Sequence, residues 1–114
     1  MTRELTRDEA LSITLELWQW LAKTGETSKS SWPGWKEHNL KGCTSDCTLC
    51  EYKIQYGQYC SEICPYPIHF GHNCLTDSNY KDTPLTRWFK AETKLSRQYW
   101  ARQCVKQIKE IING

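Results

Sequence analysis

Residues 43–74 read CTSDCTLCEYKIQYGQYCSEICPYPIHFGHNC and hold six of the seven cysteines of the 114-residue chain. Successive cysteines are separated by three, two, nine, three and nine residues. An odd total rules out a complete set of intramolecular disulfides, and close pairs at short intervals suit a metal better. Cys47-Thr48-Leu49-Cys50 is a C-x2-C knuckle, a spacing at which a tight turn aims two thiolates at one ion. Cys60 and Cys64, followed by Pro65, offer a second pair nine residues further on. Four thiolates from two knuckles match a closed, tetrahedral structural zinc site. The expected ligands of this single zinc ion are Cys47, Cys50, Cys64 and Cys60, with Cys74 as the alternative fourth ligand. Cys43, His69 and His72 are further donors within reach, and an iron–sulfur cluster on four thiolates is the competing metal chemistry.

The flanks read as helix. Thr6-Arg7-Asp8-Glu9 is a capping box, Lys23 falls in a last turn and Gly25 supplies a left-handed stop, which predicts a helix over 6–24. Its apolar residues, from Ala10 to Ala22, cover an arc of roughly 220°, about twice that of a surface helix. Such a helix either packs on two sides or leaves a strip for a partner. The second option makes Trp18 and Trp20 candidate partner-binding residues.

Residues 25–42 mix small polar residues with Pro33, Gly34 and Gly42 and read as an irregular loop. Trp32 and Trp35 in it cover either the metal site or a helix interface, or else serve a partner. Thr83-Pro84 marks a second helical start. Beyond it the apolar phase is not constant. Leu85, Trp88, Leu95 and Tyr99 point one way, while Trp100, Ala101, Cys104, Val105, Ile108, Ile111 and Ile112 lie on an arc displaced by roughly 150°. One straight helix cannot bury both, so 84–112 is expected as two helices, about 84–91 and 95–112. Cys104 sits in the apolar stripe and reads as a core thiol.

These elements predict a mainly α fold: one small domain over 1–114, with terminal helices around a zinc-knuckle region at 43–74 and little or no sheet. The polar mean hydropathy of −0.72 is offset by six Trp, six Tyr and two Phe, whose rings bury large areas. No apolar run reaches the roughly 18 residues a membrane span requires. The first residues, MTRELTRDEALS, lack an apolar signal core, so a reducing cytoplasm is expected.

Between Arg87 and Lys109 stand seven basic residues and one acid, Glu92. Arg102, Lys106 and Lys109 share one side of the last helix and are candidate contacts for an acidic partner or for phosphates. Four thiolates on one Zn²⁺ would, however, bring the formal charge of +2 to zero, which weakens an argument for nucleic acid from net charge. No H-E-x-x-H, phosphate-binding glycine loop, G-x-S-x-G or zinc-deaminase pattern occurs. A binding role for a protein partner is therefore the expectation, with nucleic acid as the alternative and an enzyme as the least favoured class.

The combination of an opening LxLWxWL helix, TLCEY, C-x3-C-P, a later lone Cys and W-x10-YWAxxxVxxI resembles small phage-encoded cysteine-rich proteins of uncharacterised function. The resemblance implies a protein acting in the host cytoplasm that regulates or inhibits a host or viral protein. In that pattern the second pair is usually C-x2-C-P. The departure at Cys60 strengthens Cys74 as the fourth ligand.

Overall fold

Helix α1, Arg7–Thr24, starts and stops on its local signals. The Thr6 hydroxyl accepts from the Glu9 amide at 3.1 Å, and the Glu9 carboxylate accepts from the Thr6 amide at 3.2 Å. That reciprocal pair satisfies two amides that the helix itself leaves open. Gly25 ends the helix at φ 72°, a left-handed conformation that disfavours any side chain, and its N–H donates to the Leu21 carbonyl at 2.9 Å.

The computed structural model describes residues 6–38, 65–72, 79 and 81–114. Among these, after α1, come a 3₁₀ turn at Lys29–Ser31, the one-turn helix α2 (Gly34–Glu37), α3 (Pro65–Phe70), α4 (Pro84–Lys90) and α5 (Lys94–Asn113). The fold is mainly helical, and no β-strand occurs among the described residues.

The expected break in the C-terminal segment falls at residues 91–93. Thr93 starts α5, its hydroxyl accepting from the Ser96 amide at 3.1 Å. The turn at 29–31, α2 and α3 fall where the sequence suggested only loop or metal region. Each is too short to show a period, and the Pro65 and Pro67 of α3 lie in a first turn that tolerates proline.

α5 is the scaffold of the described residues: α1, α4 and α3 all pack against it. The end of α1 is tied to the start of α5, with Gln98 Nε2 donating to the Lys23 carbonyl at 3.1 Å and Arg97 Nε to the Gly25 carbonyl at 2.9 Å. These bonds occupy carbonyls that a helix C-terminus leaves without partners, and the Arg97 charge suits the negative end of the α1 dipole. The two long helices thus form an antiparallel pair.

Between them lies the core: Ala10, Leu11, Ile13, Leu17, Trp18 and Leu21 of α1 against Ala101, Cys104, Ile108 and Ile111 of α5, closed by Trp88, Trp32 and Tyr66. Fully burying each large aliphatic side chain contributes about 1.5–3 kcal/mol. The fully buried arc of α1 is narrower than its apolar arc. Leu15, Trp20 and Ala22 on the margins are half-buried against the same core, so the surplus hydrophobicity of α1 is absorbed by packing.

Trp32 folds back over Gly34, where a β-carbon would overlap its six-membered ring. Trp32 is itself buried and cannot swing away without opening the core. Gly34→Ala is therefore expected to cost about 1–3 kcal/mol, the range for an overpacked core. Urea unfolding followed by far-UV circular dichroism measures it; a midpoint equal to that of the unmodified chain would refute the close approach.

Candidate functional site: the outer face of α5

At 100° per residue, Leu95, Tyr99, Arg102, Lys106 and Lys109 fall within an arc of roughly 80°. Ala101, Cys104, Ile108 and Ile111, all buried, lie on the opposite side. The five outer residues are exposed, Leu95 to 79% and Tyr99 to 46%. A rise of 1.5 Å per residue makes the stripe about 21 Å long, with the apolar pair at its N-terminal end and the three cations at its C-terminal end.

Three other cations of this region, Arg87, Lys90 and Arg97, are engaged. Lys90 pairs with Asp82 at 2.8 Å. Arg87 donates to the Asp82 carbonyl at 3.2 Å and lies 5.0 Å from the Trp100 ring centre. Arg97 is bonded to Gly25. Arg102, Lys106 and Lys109 have no ion pair or hydrogen bond among the described residues. Glu110, an acid on the flank of the stripe, is held by His69 Nε2 at 3.1 Å. Among the described residues, then, the three cations of the stripe are in no direct ion pair, with the Glu110 carboxylate one turn beyond Lys106 on their flank.

At the elbow between α4 and α5 lies an open cleft of about 440 Å³, lined by Arg87, Lys90, Thr93, Ser96 and Trp100 together with Asp82 and Glu92. Its two cations face two acids, so it carries no net charge to attract an anion. Phe89, 79% exposed, stands beside this elbow at the end of α4.

The aromatic candidates are placed differently from expectation. Trp18 and Trp32 are 1% and 6% exposed and belong to the core, so neither ring is presented to a partner. Trp18 meets Trp88 edge to face, centroids 5.1 Å apart, with Lys29 Nζ 5.3 Å and 5.7 Å from the two ring centres. That geometry combines aromatic pairing with a cation–π contact and belongs to packing. Trp20 and Trp35 are half-buried, and the Trp35 indole N–H donates to the Lys29 carbonyl at 2.8 Å.

The expected metal ligands Cys47, Cys50, Cys60, Cys64 and Cys74, and the further candidate Cys43, lie outside the described residues. No group of three or more His, Cys, Asp or Glu placed to hold a metal occurs among the described residues. The structure does place the segment directly after Cys64. Tyr66, 4% exposed, donates its hydroxyl hydrogen to Gln107 Oε1 at 3.0 Å, and His69 turns to Glu110. His72 stacks on Phe70 at 5.9 Å. Cys104 is buried in the core.

Leu95, Tyr99 and Phe89 were not candidates on the sequence. The signal existed for two of them. A helix with one buried face cannot also bury residues displaced by some 150°, so Leu95 and Tyr99 had to share the side of Arg102, Lys106 and Lys109. No protein-family model, curated protein or solved structure matches the chain. No helix of the described residues is long and apolar enough to cross a membrane.

Proposed function

We propose that this chain is a small binding module, stabilised by one structural zinc ion in its central cysteine region, that engages a protein partner through the outer face of α5. One observation carries the reading: two exposed apolar side chains and three cations with no partner among the described residues share a single helical stripe. Scattered exposed leucines are ordinary, but an aligned apolar pair continuous with three cations that make no ion pair among the described residues supports a recognition surface. The resemblance to phage proteins gives the partner a class, a host or viral protein that the chain regulates or inhibits. Nucleic acid is the second reading, favoured by three aligned cations and disfavoured by Leu95, which offers nothing to a phosphate.

The test compares the unmodified chain with the Arg102→Glu/Lys106→Glu/Lys109→Glu variant, both immobilised in bacterial lysate, with circular dichroism confirming equal helix content. Surface charges away from the core change stability little, so the variant should fold. The expected result is a protein captured by the unmodified chain and lost by the variant. Equal capture by both would overturn the reading. Retention of duplex DNA with a log–log salt slope of about −3, the value for three phosphate contacts, would replace it with the alternative.

A further inference from the structure

The stripe on α5 is polarised as well as exposed. Its apolar end, Leu95 and Tyr99, and its cationic end, Arg102 to Lys109, do not interleave. The cations recur at intervals of four and three residues, roughly 6 and 4.5 Å along the axis. Gln98 borders the stripe on one side and is bonded to the Lys23 carbonyl. On the other, Glu110 is bonded to His69. Neither is in a direct ion pair with the three cations among the described residues.

We infer that the partner element is an acidic amphipathic helix whose carboxylates lie at one end of its contact face and whose apolar residues lie at the other. This rests on the reading of the α5 outer face as the binding surface. Intervals of three and four residues are those at which a second helix repeats its own side chains, so each cation can meet a carboxylate without distortion. A straight helix face also suits helix packing along its whole length. An extended strand would instead leave its backbone donors and acceptors unpaired against the side chains of α5.

Polarity fixes orientation as well. Acidic side chains are most favourable in the first turns of a helix, near its positive end. With those turns over Arg102, Lys106 and Lys109, the partner helix runs antiparallel to α5. Its later, apolar turns then cover Leu95 and Tyr99. An interface limited to one helix face about 21 Å long is small, the size class of transient complexes.

The experiment uses the full chain and labelled synthetic 18-residue helical peptides, read by fluorescence anisotropy at low salt. One peptide carries three Glu at i, i+4 and i+7 in its first half and Leu and Phe on the same face of its second half. A second has the same composition with acids and apolar residues alternating along the face. A third replaces the three Glu by Lys. The first peptide is expected to bind at least tenfold more tightly than the second. Arg102→Glu/Lys106→Glu/Lys109→Glu should lose the first peptide and take up the third. Leu95→Ala should weaken binding several-fold while leaving the circular dichroism spectrum and melting temperature unchanged.

Equal binding of the first two peptides, or no uptake of the Lys peptide by the reversed variant, would overturn the inference. So would a 20-base-pair duplex that binds more tightly than either peptide, or self-association in sedimentation that the triple variant abolishes. The two levels separate. If lysate capture depends on the three cations but the peptides are not distinguished, the face stands and the acidic helix falls; if neither depends on them, both fall.

Discussion

Trp18→Ala is expected to destabilise the chain by about 3–5 kcal/mol, the cost of removing a fully buried indole and leaving its cavity. Three contributions converge at this position. The ring is 1% exposed, it meets Trp88 edge to face at 5.1 Å, and the Lys29 ammonium sits over both rings. The surrounding side chains come from three elements fixed to one another, so the site has little freedom to collapse. A domain of this size has about 5–15 kcal/mol of stability in all, so the variant should be near the edge of folding. Urea unfolding at equal slope, with the midpoint shifted far down, is the expected record. A loss below about 1 kcal/mol would mean that the Trp18–Trp88 contact is not part of the core. Trp88→Phe is the informative comparison. It shortens the ring but also removes an indole N–H that is buried without a hydrogen-bond partner among the described residues, and burying such a group costs about 1–3 kcal/mol. Its penalty should be clearly smaller than that of Trp18→Ala.

The same Trp residues show where the sequence was legible and where it was not. The limits of α1 were written locally, in Thr6, Glu9 and Gly25, and local hydrogen bonding decides helix ends. The break between α4 and α5 was equally legible, because two apolar phases cannot share one straight helix. Which of the six Trp face inward was not, since burial depends on how helices dock and not on any one helix. Trp18 and Trp20 are two residues apart on the same apolar arc, yet the core buries the first fully and the second by half. Leu95 illustrates the reverse case. Its apolar character suggested burial, but its register on α5, opposite Ala101, Cys104 and Ile108, places it in water. Register is a property of the whole helix and overrides the hydrophobicity of one residue. The short helices α2 and α3 carry no period, so nothing short of tertiary contact announces them. For α3 that contact is Tyr66 on Gln107, forty-one residues away in the chain.

Chelation is the second large effect. The proposed structural zinc site predicts about one zinc per chain, released by a strong chelator, with the melting temperature falling by tens of degrees. Structural zinc in thiolate sites contributes about 10–16 kcal/mol of binding free energy, which becomes folding free energy when the ligands are ordered only in the bound state. Each kcal/mol lost moves the melting temperature of a domain near this size by roughly 4–8 °C, so even partial coupling suffices. The coupling has a route in the structure. Cys64 directly precedes α3, and α3 is held to α5 by the buried Tyr66 and by the His69–Glu110 pair. Loss of the metal should therefore release α3 from α5 before it reaches the Trp18–Trp88 core. Hydrogen exchange resolves this order: protection vanishes first over 65–70 and later over α1 and α5. Cys47→Ser and Cys50→Ser should abolish metal retention. Of Cys60→Ser and Cys74→Ser, only one should, which names the fourth ligand. Cys104→Ala should keep the zinc while losing stability, because its thiol is packed in the core. A colourless protein favours zinc over an iron–sulfur cluster, whose absorption is brown. A chain that melts unchanged after complete metal removal would refute the zinc proposal, and the described helices would then stand on the α1–α5 core alone.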